Sequence, residues 1–246
     1  MFGNSKSLTT PVMKSTDDKA IVKDYFNAVG FERWRNIYGD GEVNKVQKDI
    51  RVGHKQTIET VVSWLKADGN LSQLTLCDAG CGTGSLSIPL AQEGATVYAS
   101  DISEKMVGEA KTQAEAVLGS NHSIQFSVND LEAITGSYHT VICLDVLIHY
   151  PDRDIPSMVK HLADCAESRF IISFAPKTFF LTLLKKIGEF FPGPSKTTRA
   201  YQHSEAEIVK ILQDNGFEIK RQDMTSTSFY YSRILEAVRP SQGGNQ

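Results

Sequence analysis

An open, doubly wound α/β sheet ending in an antiparallel hairpin is the fold this sequence predicts. Three observations carry the expectation. From Leu74 to Phe174 short apolar runs with β character alternate with helical periodicities, the texture of a parallel sheet with helices on both faces. A glycine-rich run, Cys77-Asp-Ala-Gly-Cys-Gly-Thr-Gly-Ser85, separates the first of those strands from the helix after it. The last two β-like runs, Phe217 to Met224 and Phe229 to Val238, are joined by a connection too short for a crossover, so they pair antiparallel.

The elements follow in order. Residues 1–17 are polar, rich in Ser, Thr and Lys, and lack an apolar core, so they read as a frayed tail and not as a secretory signal. Ala20, Ile21, Val22, Tyr25, Phe26 and Val29 recur at helical spacing, with Gly30 as the stop signal. A second helix covers Phe31 to Tyr38 and ends at Gly39-Asp40-Gly41, and a third region runs from Glu42 to about Lys66 with a break near Gly53. Strands are expected at Leu74–Cys77, Thr96–Ser100, Ser123–Val128, His139–Leu144 and Arg169–Phe174, with helices at Ser85–Gln92, Glu104–Val117, Ile155–Ala166 and Ser204–Asn215. Residues 177–191 form an amphipathic, aromatic-rich helix candidate, followed by Pro192-Gly193-Pro194 and a basic stretch with Lys196 and Arg199. The expected organisation is a helical arm at 18–68, a core at 69–239 with a lid inserted at about 175–203, and a second frayed tail at 240–246.

Composition narrows the function classes. The 246 residues carry 26 Lys+Arg against 29 Asp+Glu, a net charge of −3, which argues against a general nucleic-acid binder. Hydrophobic residues make up 41% and no uninterrupted apolar stretch reaches 18 residues, so no membrane-spanning helix is expected. Cys77, Cys81, Cys143 and Cys165 form neither a disulfide framework nor a zinc-ligand spacing, and read as reduced core thiols.

The glycine run carries the chemistry. Gly80, Gly82 and Gly84 alternate, so a ligand can approach the backbone closely. Ser85 stands where a dinucleotide fingerprint needs its third glycine, and the acidic Asp78 two residues upstream suits S-adenosylmethionine (SAM), which has no pyrophosphate. Asp101 at the end of the second strand is placed to accept both ribose hydroxyls, and Asp130, in Asn129-Asp130-Leu131 after the third, to accept from the adenine amino group. The run Cys143-Leu-Asp-Val-Leu-Ile-His149-Tyr150 follows the fourth strand. All four features fall at strand carboxyl ends, where open α/β sheets bind ligands.

This pattern resembles the class I SAM-dependent methyltransferases, whose fold is a Rossmann-like seven-stranded sheet with an antiparallel last strand. The resemblance assigns Asp78, Gly80, Cys81, Gly82 and Gly84 to the methionine end, Asp101 to the ribose, and Asp130 and Leu131 to the adenine. Ile102, Met106 and Leu144 then belong to the SAM pocket. No Asp/Asn-Pro-Pro-aromatic run follows the fourth strand and no cysteine follows a proline, so nucleic-acid base methylation is not expected.

Four further segments narrow the resemblance: Phe31-Glu-Arg-Trp-Arg-Asn-Ile-Tyr-Gly-Asp-Gly41, Cys143 to Pro151, Phe191 to Tyr201, and Phe229-Tyr-Tyr-Ser-Arg-Ile-Leu-Glu-Ala237. Together they are similar to the magnesium-protoporphyrin IX O-methyltransferases of chlorophyll biosynthesis, over about residues 18–239. The resemblance implies methyl transfer from SAM to the ring C propionate of magnesium-protoporphyrin IX, with no metal held by the protein itself. It also implies a cyanobacterial cytoplasm or a plastid stroma or thylakoid surface, peripheral membrane contact at most, and the porphyrin-carrying subunit of magnesium chelatase as a partner.

Because a propionate is already ionised at neutral pH, the protein must chiefly align it and exclude water. His149, in the otherwise apolar run Val146-Leu147-Ile148, and Tyr38, at the end of the arm, are the expected acceptor-side residues; for each, a purely structural role is the competing reading. Two rival functions remain: a non-catalytic SAM or porphyrin binder, and a methyltransferase for another small carboxylate or hydroxyl.

Overall fold

The computed structural model describes residues 15–177 and 201–240. Seven strands form one sheet: β1 (Thr75–Ala79), β2 (Thr96–Asp101), β3 (Ile124–Val128), β4 (Tyr138–Cys143), β5 (Ala166–Phe174), β6 (Glu218–Ser226) and β7 (Tyr231–Val238), in the order β3-β2-β1-β4-β5-β7-β6. The first five strands run parallel, and β7 lies antiparallel to both β5 and β6. The expected doubly wound sheet and its closing hairpin are therefore present, with the hairpin folded back so that its last strand pairs with β5. Strand order reverses between β1 and β4, and this is where open sheets leave a crevice beyond their carboxyl ends.

The helices are α1 (Ser15–Asn27), α2 (Val29–Tyr38), α3 (Lys45–Ala67), α4 (Ser87–Gln92), α5 (Glu104–Leu118), α6 (Ile155–Cys165) and α7 (Glu205–Asp214). On one face of the sheet Met158, Leu162, Leu212 and Phe217 pack against Phe170 and Phe174; on the other Val61, Leu65 and Leu90 pack against Leu76, Val97 and Ile142. All four cysteines are free and buried. Six of the nine β5 residues form an unbroken buried run, Arg169 to Phe174, as expected for a strand covered on both faces.

Two glycines overturn sequence expectations. Gly30 does not stop a helix: the chain breaks at Ala28, and Gly30 is buried inside α2, where a Cβ would stand 2.4 Å from the Tyr25 ring. Nor does Gly53 break α3, which runs unbroken for 23 residues, opened by a capping box of Asn44 and Gln47. A Cβ at Gly53 would lie 2.3 Å from Cδ1 of Tyr230. In both places the missing side chain makes room for an aromatic ring.

The arm is fastened to the sheet at several points. Ser103, the N-cap of α5, donates from Oγ to Asn27 Oδ1 at 2.8 Å. Lys19 pairs with Glu132, and Arg153 with Asp18. Asp49 of α3 accepts from Thr227 Oγ1 at 2.6 Å and from the Phe229 N–H at 2.7 Å, tying the β6–β7 turn to the arm. Residues 178–200, which hold most of the expected lid with Lys196 and Arg199, lie outside the described residues, as do the tails at 1–14 and 241–246. The described residues that flank this segment meet beside the crevice: Pro176 bridges His203, and the Tyr201 N–H donates to the Ile148 carbonyl at 2.7 Å.

Candidate active site

The glycine turn is built by hydrogen bonds from its own backbone. Gly80 and Cys81 donate their N–H groups to the Ser100 carbonyl at 2.8 and 2.9 Å, which draws the end of β1 against the end of β2. Gly82 donates to Asp101 Oδ2 at 3.0 Å, so the carboxylate is set directly against the turn. Gly80, Gly82 and Gly84 all have positive φ, a conformation that favours glycine. Their other reasons differ. A Cβ on Gly80 would strike Val146 at 2.2 Å; Gly84 lies against Ala110 of α5; at Gly82 a Cβ would meet nothing within 4 Å. The open space at Gly82 belongs to a cavity of about 310 Å³.

That cavity lies in the β1/β4 crevice. Its floor is the glycine turn and Asp101; Ile102, Met106 and Leu131 form an apolar wall on one side, and Leu144, Asp145, Val146, Ile148, His149 and Tyr150 contribute the other. The arm supplies the roof, with Tyr25 and Phe26 from α1, Trp34 and Tyr38 from α2, and Ile50 and His54 from α3. Of the residues expected to hold SAM, Gly80, Cys81, Gly82, Asp101, Ile102, Met106, Leu131 and Leu144 line the cavity. Asp78, Gly84 and Asp130 stand behind it. Asp78 is buried and accepts from Ser87 Oγ at 2.5 Å, bracing the turn from below. Asp130 caps the turn Leu131–Ala133 by accepting from Glu132 and Ala133 N–H at 2.8 and 3.0 Å, and its neighbour Asn129 is the residue at the cavity.

Charge in the site follows from burial. Asp101 is raised to about 6 by loss of water, against the N–H bonds of Ser103 and Gly82 that favour its ionised form. Asp78 is also raised to about 6, by burial first, with the Ser87 bond opposing and the Asp101 charge adding to the shift. His149 is lowered to about 4 by burial, so its imidazole is neutral near pH 7; its ring meets Phe26 edge-on at 5.0 Å. Tyr38 is raised well above its usual value by burial and then by Asp145, and remains a phenol; its ring stacks on His54 at 4.2 Å.

Sequence reasoning assigned no role to Asp145, yet it is the hub of the wall. It has the only positive φ (58°) of any described residue other than glycine. Oδ2 accepts from Tyr230 Oη at 2.6 Å and lies 2.8 Å from His54 Nδ1; Oδ1 accepts from Ser173 and Ser232 Oγ, both at 3.0 Å. Burial alone would raise its pKa, but His54, Tyr230 and Ser173 outweigh that and hold it below the usual carboxylate range. Asp145 and Tyr230 both fall in segments that carried the family resemblance. Their meeting with His54 is a matter of tertiary structure alone.

A cavity with a glycine cradle, a carboxylate at the end of β2 and an adjacent apolar wall fits SAM: ammonium and sugar at the polar end, adenine along Ile102, Met106 and Leu131. Among the described residues no group of three or more His, Cys, Asp or Glu side chains has the arrangement to hold a metal ion, and no helix is long and apolar enough to cross a membrane.

Comparison with known proteins agrees with this geometry. Residues 143–239 match the family model described as magnesium-protoporphyrin IX methyltransferase C-terminus, and residues 76–168 match a methyltransferase domain. The chain is 68% identical over 223 residues to the magnesium-protoporphyrin O-methyltransferase of Synechocystis, covering 91% of this chain and 97% of that one. It is 58% identical over 222 residues to the chloroplastic magnesium protoporphyrin IX methyltransferase of Arabidopsis thaliana, covering 90% and 71%. A crystal structure of the Synechocystis enzyme with bound S-adenosylhomocysteine superimposes with a TM-score of 0.83 at 66% identity, covering 91% of this chain and all of that one. The chain is thus a SAM-dependent methyltransferase, and it belongs to the magnesium-protoporphyrin IX methyltransferase family.

Proposed function

We propose that this chain transfers the methyl group of SAM to the ring C propionate of magnesium-protoporphyrin IX, giving the monomethyl ester and S-adenosylhomocysteine. One observation carries the reading: the arm residues roofing the SAM cavity lie in the same span that is 68% identical to the Synechocystis enzyme. The likeness therefore spans the arm as well as the donor half of the cavity.

The division of labour follows from the walls. Gly80, Gly82 and Asp101 hold the donor so that its sulfonium methyl faces the arm. Asp78 supports that turn through Ser87, and Asp130 fixes the loop that presents Leu131 to the adenine. The acceptor is a carboxylate whose oxygen needs no activation, so the protein's contribution is in-line placement and exclusion of water. Neutral His149 offers an N–H to one carboxylate oxygen, and the Tyr38 phenol closes the roof over the methyl group. The sulfonium charge and the carboxylate charge cancel as the O–CH₃ bond forms and the S–CH₃ bond breaks, so a dry apolar cavity favours the step. The arm and the 69–239 core act as the two halves of the slot. The setting that suits the reading is a cyanobacterial cytoplasm or a plastid stroma and thylakoid surface, with the porphyrin handed over by the carrier subunit of magnesium chelatase.

Incubation of the full chain with SAM and a panel of acceptors, read by mass spectrometry, tests this. Magnesium-protoporphyrin IX should gain one methyl group, while small aliphatic carboxylates and phenolic hydroxyls should gain none. Methylation of the small acceptors in its place would give the function to the rival reading, and SAM binding without any transfer would make the chain a binder.

A further inference from the structure

His54 presents one ring nitrogen to a carboxylate and leaves the other unused. Nδ1 lies 2.8 Å from Asp145 Oδ2. A carboxylate oxygen acts only as an acceptor in this contact, so Nδ1 is the ring nitrogen that carries the proton. Nε2 then carries a lone pair. It makes no hydrogen bond to any described residue, and His54 lines the SAM cavity beside Tyr38.

The ring cannot readily turn away. Tyr38 is stacked on it at 4.2 Å with a 27° interplanar angle. Asp145 is itself fixed by Tyr230, Ser173 and Ser232, from the β6–β7 turn, β5 and β7. Its left-handed backbone is a strain of the kind that persists where surrounding structure over-determines the residue and that clusters at functional sites. Carboxylate, Nδ1–H and a free Nε2 in sequence is the arrangement that orients a metal-binding histidine and strengthens its lone pair as a donor. Among the described residues His54 belongs to no group of three or more side chains arranged to hold a metal ion, so they do not build a metal site of their own. A metal that arrives already held on four sides by a macrocycle needs only one axial donor from the protein.

We propose that His54 is the axial ligand to the magnesium of the porphyrin substrate, with Asp145 as its positioning residue; the inference rests on the substrate reading above. Magnesium ordinarily prefers oxygen, and water is the natural competitor for the axial position. Within the cavity the apolar roof and walls remove that competitor. The other imidazole at the cavity among the described residues, His149, has no carboxylate within hydrogen-bond distance to orient it, and burial lowers its basicity against the opposing charge of Asp145, which makes it the weaker donor. Axial binding at His54 sets the macrocycle's centre under the arm, so only a propionate at a fixed distance from that centre reaches the SAM methyl. It also lets the site distinguish the metallated porphyrin from its metal-free precursor.

The test uses the full chain with S-adenosylhomocysteine in the donor site, so that no methyl is transferred. Magnesium-protoporphyrin IX and metal-free protoporphyrin IX are titrated separately and followed by Soret absorption. The wild type should bind the magnesium form more tightly, by at least about tenfold, with a Soret band matching an imidazole-ligated magnesium porphyrin. His54→Ala should bind the two porphyrins about equally and lose the band position, and added imidazole should restore both the preference and the band. Asp145→Asn should weaken the magnesium form alone, by about tenfold or more. Equal wild-type affinity for the two porphyrins, or a water-ligated Soret band in the wild type, overturns the proposal even if no variant folds. So does loss of the preference in His149→Ala with its retention in His54→Ala. Failure of the wild type to bind either porphyrin would instead overturn the substrate reading.

Discussion

At the scale of single residues, Asp101 shows how a carboxylate can be readied for a ligand before the ligand arrives. Its two oxygens already accept from Gly82 and Ser103 N–H at 3.0 and 2.8 Å, which fixes its orientation at the cavity floor. Each hydrogen bond from a ribose hydroxyl to such a charged group contributes roughly 1.5–3 kcal/mol. Asp101→Ala should therefore weaken SAM by at least about tenfold in calorimetry while the fold survives; unchanged affinity would leave Asp101 a turn residue. The pH dependence has a definite sign. Asp101 titrates near 6 in the free protein, and a sulfonium ligand with hydroxyl donors favours the ionised form. SAM affinity should accordingly be flat above about pH 7 and fall as pH drops through 6, and Asp101→Asn should lose part of that slope, the remainder belonging to Asp78. A wild-type affinity that rises on acidification would contradict the assignment. His149→Phe and Tyr38→Phe should each lower turnover about tenfold or more, with SAM affinity little changed by the His149 substitution. Because His149 is already neutral near pH 7, its loss should not alter the shape of the rate profile at neutral pH. Wild-type turnover in both variants would move the acceptor contacts elsewhere. Asp101, His149 and Tyr38 were legible in the sequence because each stands at an element's end. His54 and Asp145 were not: they are 91 residues apart, and only the closed arm brings them to 2.8 Å.

At the scale of elements, the two glycines read as helix breaks show what a propensity rule omits. Gly30 and Gly53 lower the intrinsic stability of α2 and α3, but their missing Cβ atoms seat Tyr25 and Tyr230. For Gly53→Ala the two effects can be weighed. The helix gains about 1 kcal/mol of propensity, whereas overpacking against a ring 2.3 Å away costs about 1–3 kcal/mol. The ring is the one whose hydroxyl bonds both Asp145 and Thr57, so it cannot slide freely. We expect net destabilisation of the full chain in urea unfolding, together with weaker acceptor binding. A more stable Gly53→Ala protein would show that Tyr230 yields and that the Asp145 network is loose. Strand positions were easier to read than these helices, since the alternation of apolar runs and turns is local, whereas the partner of a helical glycine is not.

On the scale of the whole molecule, the sheet order β3-β2-β1-β4-β5-β7-β6 places the crevice between the first and fourth strands. The arm then converts an open crevice into a roofed slot. Sequence alone could supply the alternation and the hairpin. The roof rests on contacts between distant segments, among them Asp49 with Phe229, Asn27 with Ser103 and His54 with Asp145, which no local pattern announces. The slot predicts a reaction confined to one edge of a flat acceptor. Labelling reads this most directly: the full chain is given SAM with a ¹³C methyl group and magnesium-protoporphyrin IX, and the isolated product is examined by NMR. One labelled O–CH₃ signal is expected, correlated to the carbonyl of the ring C propionate, with the other propionate free. Label on both propionates, on the other propionate, or on no porphyrin at all would contradict it.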